Sequence, residues 1–401
     1  MLPEGGPNAG RWMKSARLNF GGWLDGGYTY NPGNPGDDFN GTVTFGDRSG
    51  SVQLNQAYFY LERPVDQQGE HWDVGWRADV LFGTDAVFTQ AHGGESGHWD
   101  QRLVGDNARF YQMAIPQAYL ELVAPMGTGL RVKAGHFYTI LGNETVMAPD
   151  NFFYSHTYMM QYGEPFTQTG LLASYAPWDS LSISAGAVTG SLTGGWDGAF
   201  DTSLDEWGFL GGFTWSGDGT SFSANATHGS QTDKHGDWSL YSLVLHHDLA
   251  NELHFTLQHD YGWAANAVQD ETATWYGLAP YLSYDVAEDL AFGVRGEWFR
   301  DDEGFRVMSR SRIAAHPAAG GRAGLLSISS VGAHGDLAGN TYYALTAGLN
   351  WKPRSWVIVR PGVRYDWVDA INMFDCNGGS APAECHQGDQ WLMSMDIILM
   401  L

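Results

Sequence analysis

The feature that most constrains this chain is a two-residue hydrophobic period held over unusually long segments. In Trp72–Phe82 (WDVGWRADVLF), Trp72, Val74, Trp76, Ala78, Val80 and Phe82 share one face. Asp73, Gly75, Arg77, Asp79 and Leu81 share the other. Leu253–Tyr261 and Leu290–Trp298 repeat the pattern, with Asp260, Arg295 and Glu297 on their polar faces. Such alternation marks strands with one apolar and one polar side. A soluble propeller, jelly roll or tandem sandwich also alternates, but its strands average about 5–6 residues and its outer faces are charged. Here the apolar face carries Trp, Phe and Val.

The strands pair through turns rich in Gly, Pro, Asn and Asp: PMGTG, PWDS, GDGT, LAN, VAED and KPR. Longer connections separate the pairs, including Thr84–Gln112, Gly142–Glu164, Ser191–Leu204, Gly229–Asp237, Gly262–Glu271, Asp301–Asn340 and Asp369–Gly388. The count comes to about sixteen strands. Pro116, Pro280 and Pro361 fall inside proposed strands, where each removes a ladder donor and marks a bulge or an end. The last strand, Trp391–Leu401, alternates to its end, with Trp391, Met393, Met395, Ile397, Leu399 and Leu401 on one side.

Other classes are excluded by composition. Lys and Arg number 21 against 45 Asp and Glu, a net charge of −24, so no basic face is offered to nucleic acid. Aromatics at 14% argue against disorder. No apolar run reaches the ~18 residues of a membrane helix. A bilayer then admits only a closed barrel, because lipid satisfies no backbone N–H or C=O. The expected fold is all-β: a transmembrane antiparallel barrel with short periplasmic turns and long extracellular loops. Residues 18–401 form the one barrel domain, and 1–17 a periplasmic segment. Met1–Gly10 has neither a basic region nor an apolar stretch of a leader, so the numbering is expected to start after one was removed.

Several segments carry a resemblance: Gly22–Thr29 (GWLDGGYT), Leu54–Arg63 (LNQAYFYLER), Asp79–Asp85 (DVLFGTD), Gly135–Gly142 (GHFYTILG), Asn151–His156 (NFFYSH) and Tyr162–Thr167 (YGEPFT). Together, over Gly22 to Tyr175, the chain resembles the OmpL-like β-barrel porins of planctomycetes and related bacteria. The resemblance implies an outer-membrane pore, with no definite substrate and no catalytic motif.

Strand phase assigns an inward, pore-lining set: Asp73, Arg77, Asp79, Glu121, Arg131, Lys133, Asp260, Arg295, Glu297, Arg360, Arg364 and Asp366. Cross-strand pairing is the plain alternative for any one of them. The connection Gly142–Glu164 is apolar for a surface loop and has no Lys or Arg. It is expected to fold into the barrel as a constriction carrying Glu144, Asp150, Phe152, Phe153, Tyr154, His156 and Tyr158. Packing on the membrane rim or a neighbouring subunit is the alternative. Asp150 or Asn151 is placed to cap a short helix ending at Gly163. Arg306, Arg310, Arg312 and Arg322 make Asp301–Asn340 basic and able to oppose Glu144, Asp150 and Glu164 across a pore; lipid phosphate is the other reading. Trp72, Tyr119, Tyr138, Tyr175, Trp207, Trp215, Trp238, Tyr261, Tyr284, Trp298, Trp351, Trp367 and Trp391 are read as interfacial belts. Cys376 and Cys385, with eight residues between them, suit a disulfide in an exported loop.

His246 and His247 point to opposite faces of one strand, so no metal is assigned. No nucleophile elbow, phosphate loop or dinucleotide motif is present, so neither an enzyme nor a cofactor is expected. The leading reading is a porin passing ions and small hydrophilic solutes by passive diffusion. Its expected partners are outer-membrane lipids and, in a trimer, further copies of itself. A barrel that sheathes a partner protein is the competing reading, and a membrane hydrolase the remote one.

Overall fold

In a computed structural model the described residues are 16–401, apart from 37, 67–68, 92–110, 190–206, 232–235, 269–270, 308–338, 371 and 376–385. Among them are seventeen strand segments. They are β1 Asn19–Tyr30, β2 Val52–Arg63, β3 Asp73–Gly83, β4 Gln112–Ala114, β5 Ala118–Ala124, β6 Leu130–Tyr138, β7 Thr167–Trp178, β8 Leu181–Thr189, β9 Trp207–Gly217, β10 Thr220–Gln231, β11 Gly236–Ala250, β12 Leu253–Val268, β13 Glu271–Ala287, β14 Leu290–Asp301, β15 Asn340–Arg354, β16 Val357–Val368 and β17 Asp389–Met400. Sequence neighbours pair antiparallel except β4 and β5, and β17 returns to β1, from Trp23↔Met400 to Tyr30↔Met393. Closure leaves no free edge, the condition lipid imposes.

β4 and β5 both pair with β3, so together they make one stave of a sixteen-stave barrel. The break between them falls at Ile115–Gln117, around Pro116. There the Asp79 N–H donates to the Gln117 carbonyl at 2.9 Å instead of to a regular partner. Pro280 and Pro361 stay inside β13 and β16. Each coincides with a gap in the pairing on one side, between Leu278↔Trp298 and Tyr281↔Arg295, and between Gly348↔Gly362 and Trp351↔Val359.

Parts of two long connections expected from sequence are strand instead. Residues 229–231 continue β10, and 262–268 continue β12. The ladder persists because Gly229↔Trp238, Gly262↔Trp275 and Trp263↔Thr274 keep pairing. The wall from β10 to β13 therefore stands taller than a membrane-spanning strand requires.

The apolar phases face outward. Val74, Leu120, Leu171, Ile183, Phe213, Leu282 and Leu345 are exposed, as are Trp391, Met393, Met395, Ile397, Leu399 and Leu401 on the last strand. Near the long-loop end, outward rings on successive strands touch: Tyr241–Tyr261–Tyr276–Trp298, then Tyr343–Trp367–Tyr365–Trp391. This is an interfacial girdle. At the other end Trp178, Trp215, Tyr284, Trp351 and Trp356 are exposed. Three rings expected in the belts face inward instead. Trp238 is buried, the Tyr138 hydroxyl lies 3.2 Å from that of Tyr58, and Tyr119 stacks under Lys133. Trp238 and Tyr119 sit one residue off the outward phase of their strands, whereas Tyr138 shares the even, outward phase of Val132 and Ala134 and turns inward beyond Gly135.

A charge on the outward face would have no partner in lipid. Val294→Arg, between the rings of Phe292 and Trp298, should destabilise the barrel by about 2–4 kcal/mol near mid-depth. Urea unfolding in lipid vesicles reads this directly, and a shift below 0.5 kcal/mol would mean this face does not meet lipid.

Candidate site: a loop anchored across the lumen

The connection from β6 to β7 turns into the barrel and crosses to the far wall. Its own residues begin the turn. Asn151 accepts from the Thr145 N–H at 2.9 Å and donates back to the Thr145 carbonyl at 2.7 Å, closing a small ring. Neither Asp150 nor Asn151 caps the short helix expected to end at Gly163, since the turn that ends there begins only after Tyr158. A single tight turn spans Ala148–Asp150, and one wide helical turn spans Met159–Gly163. Glycines on the inner wall make room. A Cβ at Gly27 would meet the Tyr154 ring, at Gly277 the Met159 side chain, and at Gly293 the Phe152 ring.

Polar groups on the wall then fasten the loop. Arg295 on β14 donates to Glu144 at 2.6 Å, to the Ser155 carbonyl at 2.7 Å and to Glu297 at 2.9 Å. Arg364 on β16 donates to Glu297, Asp366 and the His156 carbonyl, each at 2.8 Å. Arg360 pairs with Asp396 on β17 and donates to the carbonyls of Ala148 at 2.7 Å and Asn151 at 2.8 Å. Glu297 accepts from the Tyr158 N–H, and Asp366 from the Tyr158 hydroxyl. Phe153 lies 5.1 Å from the Arg295 guanidinium, and the Arg364 guanidinium lies 5.0 Å from the Tyr158 ring. On β2, Asn55 accepts from the Tyr154 hydroxyl and Gln56 grips Val146 and Ala148.

The inward charges thus fall into two groups. Arg295, Glu297, Arg360, Arg364 and Asp366 are buried under the loop. Asp260, also buried, accepts from Gln258, which donates to Glu164 at the loop's end as well. Arg77, Glu121, Arg131 and Lys133 lie on the opposite wall and keep partial exposure. Arg77 bonds Asp79 at 2.8 Å and Glu62 at 3.2 Å, while Glu121 stands opposite Lys133 in register. Asp73 is the first residue of β3, held at the short-turn end by Arg17 and Arg63. The inward positions Ser182 and Thr214, on β8 and β9, are exposed. The loop's anchors thus run from β11 and β12 through β14 and β16 to β2, while the exposed inward positions Ser182 and Thr214 lie on β8 and β9.

Arg306 is buried, donates to the Tyr162 carbonyl at 2.7 Å and stacks on Trp275. It clamps the loop instead of facing Glu144, Asp150 and Glu164 across a gap. Arg310, Arg312, Arg322, Cys376 and Cys385 lie outside the described residues. Sequence reasoning did not single out Asp396, Asn55 or Gln56. The alternation of β17 marks Asp396 as inward, whereas nothing in the sequence signals the two amides.

The electrostatics of two loop carboxylates differ in sign. Burial alone would raise Glu144, but Arg295, His156 and the Thr157 N–H hold it down at about 2. Asp85, on the segment following β3, is pushed up to about 7 by burial, which the bonds from Gln56 and Thr84 only partly offset. Stability from Glu144 is therefore present above the ordinary carboxylate range and is lost as pH falls towards about 2. Asp85 binds its proton more tightly when folded, so its contribution declines as pH rises from about 4 to about 7. Chemical denaturation against pH should show Glu144→Gln flattening the acid limb and Asp85→Asn flattening the decline towards neutrality. Unchanged profiles would exclude these assignments. Arg360→Met should cost about 3–5 kcal/mol by stranding Asp396, and Arg360→Met with Asp396→Leu should recover most of it.

The profile of the family described as Putative beta-barrel porin-2, OmpL-like, matches residues 17–401. No curated protein matches the chain. Among solved structures, an anion-selective porin from Comamonas acidovorans aligns with a TM-score of 0.59 at 8% identity, covering 96% of this chain and 99% of that one. Salmonella typhi OmpF, in complex with daunomycin, aligns with a TM-score of 0.55 at 12% identity, covering 96% and 97%. The trimer form of OmpT, an outer membrane protein of Vibrio cholerae, aligns with a TM-score of 0.54 at 9% identity, covering 96% and 99%. At these identities the structures show the shared sixteen-stave fold, while the family match covers nearly the whole sequence. The chain belongs to the OmpL-like β-barrel porins and is an outer-membrane barrel with a channel role.

Proposed function

We propose that ions and small hydrophilic solutes cross this barrel passively, through the space between the 142–164 loop and the β5–β10 wall. One observation carries the reading. The loop is fastened by three buried arginines on β14 and β16, while the inward positions Ser182 and Thr214 on β8 and β9 stay exposed. Such an arrangement narrows the barrel without sealing it, and the groups facing the gap decide what passes. Glu121, Arg131, Lys133 and the loop's exposed Asp150 are those groups. The arginines on β14 and β16 act as fasteners, their charge spent on carbonyls and carboxylates. No bond is made or broken in such a role.

The barrel domain spans residues 18–401, with 1–17 periplasmic and both termini at the short-turn rim, which faces the periplasm. A homotrimer is the assembly we assign, supported by the trimeric V. cholerae neighbour. The Cys376–Cys385 disulfide is supported by the register of its flanks. Phe374 and Gln387 exchange backbone hydrogen bonds at 3.1 Å, and the His386 N–H donates to Asp375 at 3.3 Å. Mass spectrometry of non-reduced, alkylated peptide should recover 376 and 385 in one linked species, and two alkylated thiols would refute the bridge.

Single-channel recording in KCl should show discrete ohmic steps. Deleting Asp150–Gln161 should enlarge them, and unchanged conductance would remove the loop from the path. Reversing Arg131 and Lys133 to Glu should move the reversal potential in a salt gradient towards cations. The same reversal at Arg364 should instead cost stability. A folded barrel that conducts nothing would favour the sheath reading.

A further inference from the structure

Glu144, Glu297, Asp366 and Asp396 each meet an arginine. Glu164 and Asp260 do not. Both are buried, and among the described residues neither makes an ion pair. Their carboxyls are hydrogen-bonded to one another instead, and the Gln258 amide donates to both. Asp260 Oδ1 has no other donor among the described residues. Two buried carboxylates in contact cannot both stay ionised, and one proton between them turns repulsion into a hydrogen bond. The groups around the pair do not replace that proton. Glu144, at the loop's other end, adds negative charge. His259, the next residue of β12, lies 3.2 Å from the outward Tyr241 hydroxyl. Arg306, from the segment after β14, donates to the Tyr162 carbonyl. β11 and β13 bring only neutral groups, the Ser242 hydroxyl and the Trp275 indole. Burial and the Asp260 carboxyl accordingly push Glu164 well above the ordinary carboxylate range.

The same cluster holds both ends of the loop. Ser242 accepts from the Gly142 N–H at 3.2 Å, and Gln258 from the Asn143 N–H at 3.1 Å. Gly142, at φ +80°, packs so tightly that a Cβ there would run into the Glu164 carboxyl. We propose that Glu164 and Asp260 share one proton, and that this proton latches the two ends of the 142–164 loop to β11 and β12 and so sets the width of the gap beside it. When the proton leaves, one of two like charges must leave the cluster. Asp260 is paired on both sides, with Ser242 and Gly277. Glu164, on a connection, is the one that moves, and it takes the end of the loop with it. The arginine fasteners hold the middle of the loop throughout. The effect on current rests on the porin reading, but the shared proton does not. The proton step belongs to the pair rather than to either residue.

The test uses the detergent-folded full chain. Difference infrared spectra between about pH 6 and about pH 9, above the range of ordinary carboxyls, should show a protonated-carboxyl C=O band that fades as pH rises. Glu164→Gln should remove its share of that band. Bilayer recording in KCl should show conductance rising over the same range. Glu164→Gln, which keeps a neutral donor for Asp260, should hold the low-pH conductance throughout, and Glu164→Ala, which keeps none, should show the high-pH conductance throughout. A band that Glu164→Gln leaves unchanged, a conducting barrel indifferent to pH, or a pH response that survives Glu164→Gln would overturn the proposal. So would calcium chloride restoring the low-pH conductance in alkaline buffer, since a metal ion would then do the proton's work. In a barrel that carries no current the infrared band decides alone: its loss in Glu164→Gln upholds the shared proton while the pore reading fails.

Discussion

Every backbone polar group that meets hydrocarbon must find its partner within the protein, and this chain meets that demand by pairing β17 with β1. All else in the structure depends on that closure. It sets the inward and outward phase of sixteen staves together, because antiparallel register carries the phase of one strand to the next. It also creates the interior volume that the 142–164 loop occupies. Where the ladder lacks a donor, at Pro116, the strand breaks and Gln117 supplies the missing contact to Asp79 from outside the regular pairing.

Inside, the dominant economy is that of buried charge. Three arginines on neighbouring walls are desolvated, and each is returned to near-saturation by carboxylates of the wall and carbonyls of the loop. A guanidinium suits this work, since its five donors in a fixed plane reach two carbonyls and a carboxylate at once. A loop rich in Phe, Tyr and Met and free of Lys and Arg can then lie against a charged wall without stranding any of its own groups. The aromatic rings shield the ion pairs, and the inner-wall glycines at 27, 277 and 293 set how closely the rings approach. The consequence is a division of the lumen into a fastened side and an open side.

The mixed character of the inward list follows from this division. Arg131 and Arg364 look alike as inward arginines on alternating strands. One stands opposite Ser174 on a wall with space before it, the other is pinned beneath His156. Nothing local distinguishes them, because the carbonyl and the ring that cover Arg364 come from a loop some two hundred residues away in sequence. The same distance hides Asn55 and Gln56, whose roles depend on what the loop brings to them.

By itself the sequence determined the strands, their count, their outward faces and the inward bent of an apolar, cation-free loop. These are properties of a period of two and of the cost of exposing rings to water, and both are read over a few residues. It also erred locally where it treated 229–231 and 262–268 as connections, since pairing with a tall neighbour extends a strand beyond what its own residues demand. Only the tertiary structure decided which wall the loop would lie on, which arginines it would consume and where open volume would remain. Those outcomes depend on hydrogen bonds between segments that only closure of the barrel brings face to face.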